Sequence, residues 1–233
     1  DEETLTDIDF SAHKGETVAF IGSTGSGKST LVNLIPRFFD VTSGRILVDG
    51  VDVRDMKLTE LRDRIGYVPQ KGVLFSGTID SNIRYGKEDA SEAEVQRAAE
   101  VAQAWDFIQE KEEKMESEIA QGGTNVSGGQ KQRLSIARAI AKRPEIYIFD
   151  DSFSALDYKT DVVLRRALKK ETKDATTLIV AQRISTILHA DRILVLDVGR
   201  VVGQGTHREL LKSCEVYRQI AMSQLSEEEL ANE

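Results

Sequence analysis

Two rhythms of apolar and polar positions run along this chain. "ETVAFIG" (16–22) is a short β-rich apolar run stopped by glycine, and "STLVNLIPRF" (29–38) has helical spacing until Pro36 interferes, so the segment is predicted as strand, loop, helix. "GRILVDG" (44–50) is a second short strand between glycines. From about 88 to 115 the pattern is helical and highly charged, with Val95, Ala98, Ala99 and Ala102 on one face and Trp105 and Phe107 as packing residues. After "SGGQ" comes a helix, "KQRLSIARAIAKR" (131–143), ended by Pro144. Strands recur at "EIYIFD" (145–150), "TTLIVAQ" (176–182) and "RILVLDVGRVVGQG" (192–205), with helices at 159–171 and 207–223.

Strands alternating with helices imply an α/β fold around a mostly parallel sheet, with ligands at the carboxyl ends of its strands. The charged middle stretch reads as a helical lobe. A length of 233 residues suits one domain carrying such a lobe. The net charge of -8 argues against nucleic acid as a partner, because phosphate contacts need a basic face, and against docking on anionic lipid by charge alone. Cys214, alone of its type, makes no internal disulfide and reads as a small semi-buried hydrophobe in a reducing, cytosolic setting. No apolar stretch approaches the roughly 18 residues that span a bilayer. Any crossing therefore belongs to another segment or chain. The opening "DEETLTDIDF" has no Met, as expected of a piece of something longer, and the acidic tail "SEEELANE" is expected to fray.

"GSTGSGKST" fits G-x-x-x-x-G-K-[ST] after a strand and before a helix. Gly22, Ser23, Thr24, Gly25, Ser26, Gly27, Lys28, Ser29 and Thr30 make up this loop. Glycines let successive N–H groups point at phosphate oxygens, and the helix start adds a favourable dipole. Lys28 would reach the β- and γ-phosphates, and the Ser29 hydroxyl would ligate Mg²⁺. The plain alternative is a Gly/Ser turn beside a surface lysine, which the strand-to-helix context disfavours. "NVSGGQKQRLSIARA" (125–139) is a second Gly-rich element at a helix start, a pattern that by itself is as often a structural serine cap as an anion site.

The order of elements is more specific than any one of them. Phosphate loop, "YVPQ", "SGGQ", an apolar strand ending in Asp150, "SALD" and a further strand at "TTLIVAQ" follow one another. In this the chain resembles, over essentially its whole length, the nucleotide-binding domain of ATP-binding cassette (ABC) transporters. The resemblance implies a P-loop NTPase (RecA-like) core, an N-terminal antiparallel β portion and an inserted α-helical subdomain. It implies a single domain over 1–233, with core lobe 1–72 and 143–233 and helical subdomain about 73–142. ATP and Mg²⁺ are the implied ligands, with Ser29, Gln70 and Asp150 serving the metal. By the same resemblance Gln70 senses the membrane domain, Asp157 belongs to the D-loop, and Val126, Ser127, Gly128, Gly129 and Gln130 form the signature that acts on a partner's nucleotide. Two such domains pair head to tail. "VLFSGTIDSNIRYG" (73–86) looks like the exporter segment that meets coupling helices of the transmembrane domains, which places a soluble fragment at the cytoplasmic face of the cell membrane.

Two departures concern catalysis. The residue after the Walker B aspartate is usually glutamate, which polarises the attacking water; here it is Asp151, one methylene shorter. A displacement of about 1 Å at a catalytic group can cost on the order of a hundredfold in rate. The usual switch histidine is replaced by Gln182, which donates a hydrogen bond but carries no charge and shuttles no proton. Beside an intact phosphate loop and a nearly unaltered signature, with Val126 for the commoner leucine, both changes resemble the catalytically impaired half of heterodimeric exporters of multidrug type. Gln121 stands near where exporters often carry a glutamate, and the adenine-stacking aromatic would precede residue 1. Two rival readings stay open: a competent homodimer in which Asp151 suffices as base, and a soluble ABC protein of DNA repair or translation. The latter would carry coiled-coil insertions or basic arms, and this chain has neither.

Overall fold

The computed structural model describes residues 4–226, so all of the acidic tail but Ser226 lies outside the described residues. In chain order the elements are β1 (Thr17–Gly22), α1 (Lys28–Leu34), β2 (Leu47–Val48), β3 (Val51–Asp52), α2 (Leu58–Asp63), β4 (Ile65–Val68), β5 (Gly77–Thr78), α3 (Ile79–Arg84), α4 (Glu92–Val101), α5 (Trp105–Gln109), β6 (Glu118–Ile119), α6 (Gly128–Lys142), β7 (Ile146–Asp150), α7 (Tyr158–Glu171), β8 (Thr176–Val180), α8 (Ile184–Ile187), β9 (Arg192–Asp197), β10 (Arg200–Gly205), α9 (His207–Ser213) and α10 (Glu215–Gln224), besides short 3-10 turns. The chain divides into two compact units, one built from residues up to Ile65 and from Thr176 onward, the other from Gly66 to Ala175.

In the first unit the strands lie in the order β10-β9-β1-β8. β1 runs parallel to both neighbours, with Val18 opposite Leu178 and Ile21 opposite Val195, and only the edge strand β10 is antiparallel. This is the mostly parallel α/β sheet that the alternation of elements predicts. Val18 to Ile21 and Ile193 to Leu196 are buried at every position, which is why these strands read as unbroken apolar runs rather than alternating ones. On one face, Ile184, Leu210, Cys214, Tyr217 and Ala221 close over Ala19, Ile21 and Val195. Tyr217 can be buried there because its hydroxyl meets His207 Nδ1 at 2.6 Å. Cys214 is buried and free, as expected of a small hydrophobe.

In the second unit β7 lies beside β4, and α6 packs against α3 and α4. α6 starts at a capping box: Ser127 Oγ accepts from the Gln130 N–H and Gln130 Oε1 from the Ser127 N–H, each at 3.1 Å. It stops where Arg143 turns left-handed ahead of Pro144. The predicted apolar face of α4 is buried at Val95, Ala98 and Ala99.

Three predicted elements differ from the observed ones. The helical stretch from 88 to 115 is broken: Gln103 takes a φ of +57°, and the Arg133 guanidinium, which lies over the Phe107 ring, donates to the Gln103 carbonyl at 2.7 Å. A partner 30 residues away overrides local helical preference there. The helix predicted over 207–223 is two helices, because Cys214 adopts an extended conformation and points into the core beside Gly203, where any Cβ would lie 2.7 Å from Cys214 Sγ. The strand at 44–50 shrinks to β2 and pairs with β3 as a hairpin, the antiparallel β portion near the N-terminus. Its turn, Asp49-Gly50, has positive φ at both residues, as a mirror-image two-residue turn requires.

The β9–β10 turn also has positive φ at both residues, +44° and +72°, but places Val198, 84% exposed, at the position where Asp49 stands in the other hairpin. A β-branched residue is strained in this region whereas Asn and Asp tolerate it. Val198→Asn is therefore expected to stabilise the chain by about 1 kcal/mol, raising its melting temperature by about 2–4 °C. Calorimetric unfolding of both proteins measures this, and an unchanged or lower melting temperature would show that the turn carries no strain.

Candidate functional site

In the first unit, β1 ends at Gly22, which lies beside Leu196 of the neighbouring strand β9. A Cβ at Gly22 would sit 2.1 Å from the Leu196 carbonyl oxygen, so nothing larger fits. The loop then turns through Gly25 and Gly27 with φ of +79° and +104°. Ser23, Thr24, Gly25 and Ser29 are exposed on it, and Thr30 is half-buried within α1. Lys28 is buried. Its Nζ donates to the carbonyls of Gly22 and Ser23 at 2.8 and 2.9 Å and lies 3.4 Å from Ser26 Oγ, so the ammonium is curled over its own loop. α1 starts with no side-chain cap and no acidic residue in its first turn, whereas α3, α4, α6 and α9 all begin with capping boxes. An uncapped helix start beside a buried cation and flexible glycines suits an anion.

Gln182 lies just past the end of β8 and is exposed; its carbonyl accepts from Gln224 Nε2 at 2.8 Å. The same Gln224 side chain accepts from the Ile184 N–H through Oε1 at 2.8 Å. The backbone around position 182 is thus fixed by α10 while its side chain faces outward.

In the second unit the structure brings Gln70, Asp150 and Asp151 together. Asp150, 7% exposed, ends β7 and accepts from the Tyr67 hydroxyl at 3.2 Å. Burial, reinforced by the Asp150 charge and by that hydrogen bond, pushes the Tyr67 phenol well above its ordinary value, so it stays a donor at any physiological pH. Asp151, 8% exposed, has a φ of +50°. Aspartate tolerates this left-handed geometry better than longer side chains do, because its short carboxylate bonds locally. Its Oδ2 accepts from Gln70 Nε2 at 3.0 Å, and its carbonyl accepts from Ser154 Oγ at 3.0 Å.

Two further side chains hold the same segment. Ser152 Oγ donates to the Val68 carbonyl at 2.8 Å, and Gln132 Nε2, from within α6, to the Pro69 carbonyl at 3.0 Å. Tyr67, Gln132 and Ser152 escaped the sequence reading. The available signal was a polar Gln132 on an otherwise apolar helix face and a tyrosine three residues before Gln70.

The second Gly-rich element opens outward. Ser127 and Gly128 are exposed, Val126, Gly129 and Gln130 are half-buried, and a Cβ at Gly128 would meet nothing within 4 Å. Ser127 and Gln130 are spent on the capping box described above. Asp157 is the N-cap of α7, accepting from the Thr160 hydroxyl at 2.6 Å and the Thr160 N–H at 3.0 Å. Those two bonds, the hydroxyl first, hold its carboxyl below the usual carboxylate range.

Among the described residues no group of three or more His, Cys, Asp or Glu side chains is placed to hold a metal ion. A cation such as Mg²⁺ takes one or two protein carboxylates and completes its shell with phosphate oxygens and water. The donors present, hydroxyl, amide and carboxylate oxygens, are of the hard type it prefers.

The family model for ABC transporters matches residues 5–154. An uncharacterized ABC transporter ATP-binding protein of Mycobacterium tuberculosis is 50% identical over 223 residues, covering 94% of this chain and 38% of the relative. A putative multidrug export ATP-binding/permease protein of Staphylococcus aureus is 50% identical over 216 residues, covering 93% of this chain and 37% of the relative. The chain thus spans less than two fifths of the length of these relatives. The solved structure of a bacterial Atm1-family ABC exporter with ATP bound superposes with a TM-score of 0.93 at 41% identity, covering 97% of this chain and 40% of that one. With a glycine loop around a buried lysine, an aspartate pair closing an apolar strand and a family match over most of its length, the chain belongs to the ABC transporter family.

Proposed function

We propose that this chain is the ATP-binding domain of an ABC exporter whose own site binds Mg·ATP and hydrolyses it slowly, while its signature serves the nucleotide of a second, competent domain. The observation that carries this reading is the commitment of Asp151 to Gln70: the carboxylate where a general base is expected is short and already accepts an amide hydrogen at 3.0 Å. A base must be within reach of the proton it takes. With Nε2 on Asp151, the Gln70 amide turns Oε1, the atom able to ligate a cation, the other way. Asp151 is then an orienter of Gln70 rather than a base.

The remaining roles follow chain by chain segment. Lys28 exchanges loop carbonyls for β- and γ-phosphate oxygens, which bind an ammonium more strongly because they are charged. The amides of Gly22 to Thr30 cradle the phosphates. By the family resemblance Ser29, Gln70 and Asp150 would each offer an oxygen to Mg²⁺, and the Tyr67 hydroxyl donates to Asp150 Oδ2. When bound, Mg²⁺ neutralises charge on the transferring phosphoryl group. At 182 a neutral amide replaces the expected imidazole, so the γ-phosphate loses a charged contact.

Partners follow from the surface and from the relatives. The word permease in the Staphylococcus aureus relative's name motivates transmembrane domains in the remainder of the full protein or in an associated chain. In 73–86, the exposed Val73, Phe75 and Tyr85 gather around the Arg138 guanidinium, which lies 5.1 Å from the Phe75 ring centre and 5.6 Å from that of Tyr85. An apolar, aromatic patch of this kind suits docking of a coupling helix at the cytoplasmic face. Intact Ser127, Gly128 and Gly129 beside altered Asp151 and Gln182 favour a different, competent chain as the second nucleotide-binding domain. Charge argues against nucleic acid, and no helix among the described residues is long and apolar enough to cross a membrane.

The isolated chain is expected to bind Mg·ATP, seen by calorimetry, with phosphate release far below the ordinary enzyme median of about 10 s⁻¹. Turnover near that median would end the case for an impaired site. Restoring groups should work only jointly. Asp151→Glu with Gln182→His should raise the rate beyond the product of the single effects, because base and switch act on one transition state; strict additivity in log rate counts against a shared role. In the reconstituted complex, Gly128→Asp puts a carboxylate against the partner's γ-phosphate and should reduce hydrolysis by about a hundredfold or more. Misfolding is not the cause to expect, since a Cβ at 128 meets nothing and an acid suits the first turn of α6. Asp151→Asn should change hydrolysis by the complex little. If it is the more damaging of the two, Asp151 is a working base.

A further inference from the structure

The β9–β10 turn touches the phosphate loop through its backbone. The Gly199 N–H donates to the Ser26 carbonyl at 3.0 Å, and the Gly199 carbonyl accepts from the Thr6 N–H at 2.9 Å. Ser26, 2% exposed, lies inside the loop: its N–H donates to Ser23 O at 3.1 Å, and its Oγ is 3.4 Å from Lys28 Nζ. One glycine thus bridges the N-terminal segment and the residue that contacts the loop lysine.

The fit leaves no slack. At a φ of +72°, Gly199 would place a Cβ 2.2 Å from the Thr4 carbonyl oxygen and 3.4 Å from Leu5 Cα. From the other side, a Cβ on Gly27 would fall 2.6 Å from Leu5 Cδ2 and 3.7 Å from Gly199 Cα. Three chain segments meet around the Leu5 side chain and leave no room for a Cβ at Gly199 or Gly27. The turn keeps this conformation although Val198, its neighbour, is strained by it.

The consequence lies in the Ser26–Gly27 peptide. A trans peptide points its C=O and N–H in opposite directions. Fixing the Ser26 carbonyl on the Gly199 N–H therefore aims the Gly27 N–H away from the turn. Glycine at 27 would otherwise let this peptide rotate at little cost. We propose that Gly199 is a positioning residue for nucleotide binding: it locks one amide donor of the phosphate loop, and with it Ser26 and Lys28, in the orientation that receives phosphate. This rests on the reading of the loop as an ATP site, and it adds a residue more than 170 positions away to that site.

The test compares two glycines of one hairpin in the 233-residue chain. Gly199→Ala drives a methyl into the Thr4 carbonyl and pushes the turn off Ser26. Gly203→Ala drives one into Cys214, 2.7 Å away, and loads the core instead of the loop. Melting temperature without nucleotide and the Kd for Mg·ATP by calorimetry are measured for both, with wild type and Lys28→Ala alongside. Both alanine variants should melt lower. Only Gly199→Ala should also weaken ATP binding, by about tenfold or more, as a misoriented donor does, while Gly203→Ala stays within about twofold of wild type. If Gly199→Ala does not fold, Thr6→Pro, which removes the amide that donates to the Gly199 carbonyl and stiffens the backbone at residues 5 and 6, takes its place under the same criterion. Equal Kd shifts in the Gly199 (or Thr6) and Gly203 variants would overturn the proposal, since the turn would then act through stability alone. A wild type that binds no ATP, or a Lys28→Ala variant that binds as tightly as wild type, would instead overturn the ATP reading itself.

Discussion

Four consecutive residues, Tyr67 to Gln70, each have a polar atom held by a side chain from another part of the second unit, and the arrangement of its acidic residues depends on that clamp. Tyr67 gives its hydroxyl to Asp150, Val68 and Pro69 give their carbonyls to Ser152 and Gln132, and Gln70 gives its amide to Asp151. Such bonds contribute on the order of 1 kcal/mol each, but leaving a buried member unsatisfied costs more, so the set behaves as a unit. The need arises where β4 ends. Pro69 has no N–H and cannot extend the strand, so the carbonyls around it require partners other than a ladder.

The clamp also separates two acids that are adjacent in sequence. Asp150 is the last residue of a buried strand, whereas Asp151 turns into the left-handed region one residue later. Their carboxylates are taken by residues three apart on the opposite segment, Tyr67 and Gln70. Charges that would repel in one place are each given a donor, and a change at 151 is felt first at Gln70. The phosphate loop obeys a different rule. It is made of backbone, and its shape is set by positions that tolerate no side chain, such as Gly22 against Leu196.

This difference decides what the sequence could reveal. The nine-residue glycine loop and a serine cap at Ser127 are local patterns and were legible from spacing alone; that Gln130 closes the cap into a box was not. The buried runs of β1, β7, β8 and β9 were legible for the same reason: a strand covered on both faces leaves a continuous apolar signature. The clamp was not, because its partners lie 63 to 84 residues apart. Nor were the breaks at Gln103 and Cys214, where Arg133 and the core beside Gly203 override a helical pattern that continues on either side. Val198 is a third case: nothing in its type announces a left-handed turn, whereas Asp49-Gly50 does.

Position 151 joins these threads. At a φ of +50°, Asp151 reaches Gln70 Nε2 through Oδ2 at 3.0 Å with a side chain of only two rotatable bonds. The short acid is therefore consistent with its surroundings as a hydrogen-bond acceptor. Asp151 is a short carboxylate held by one amide at a left-handed turn, so any change of length at this position acts first on the Gln70 bond.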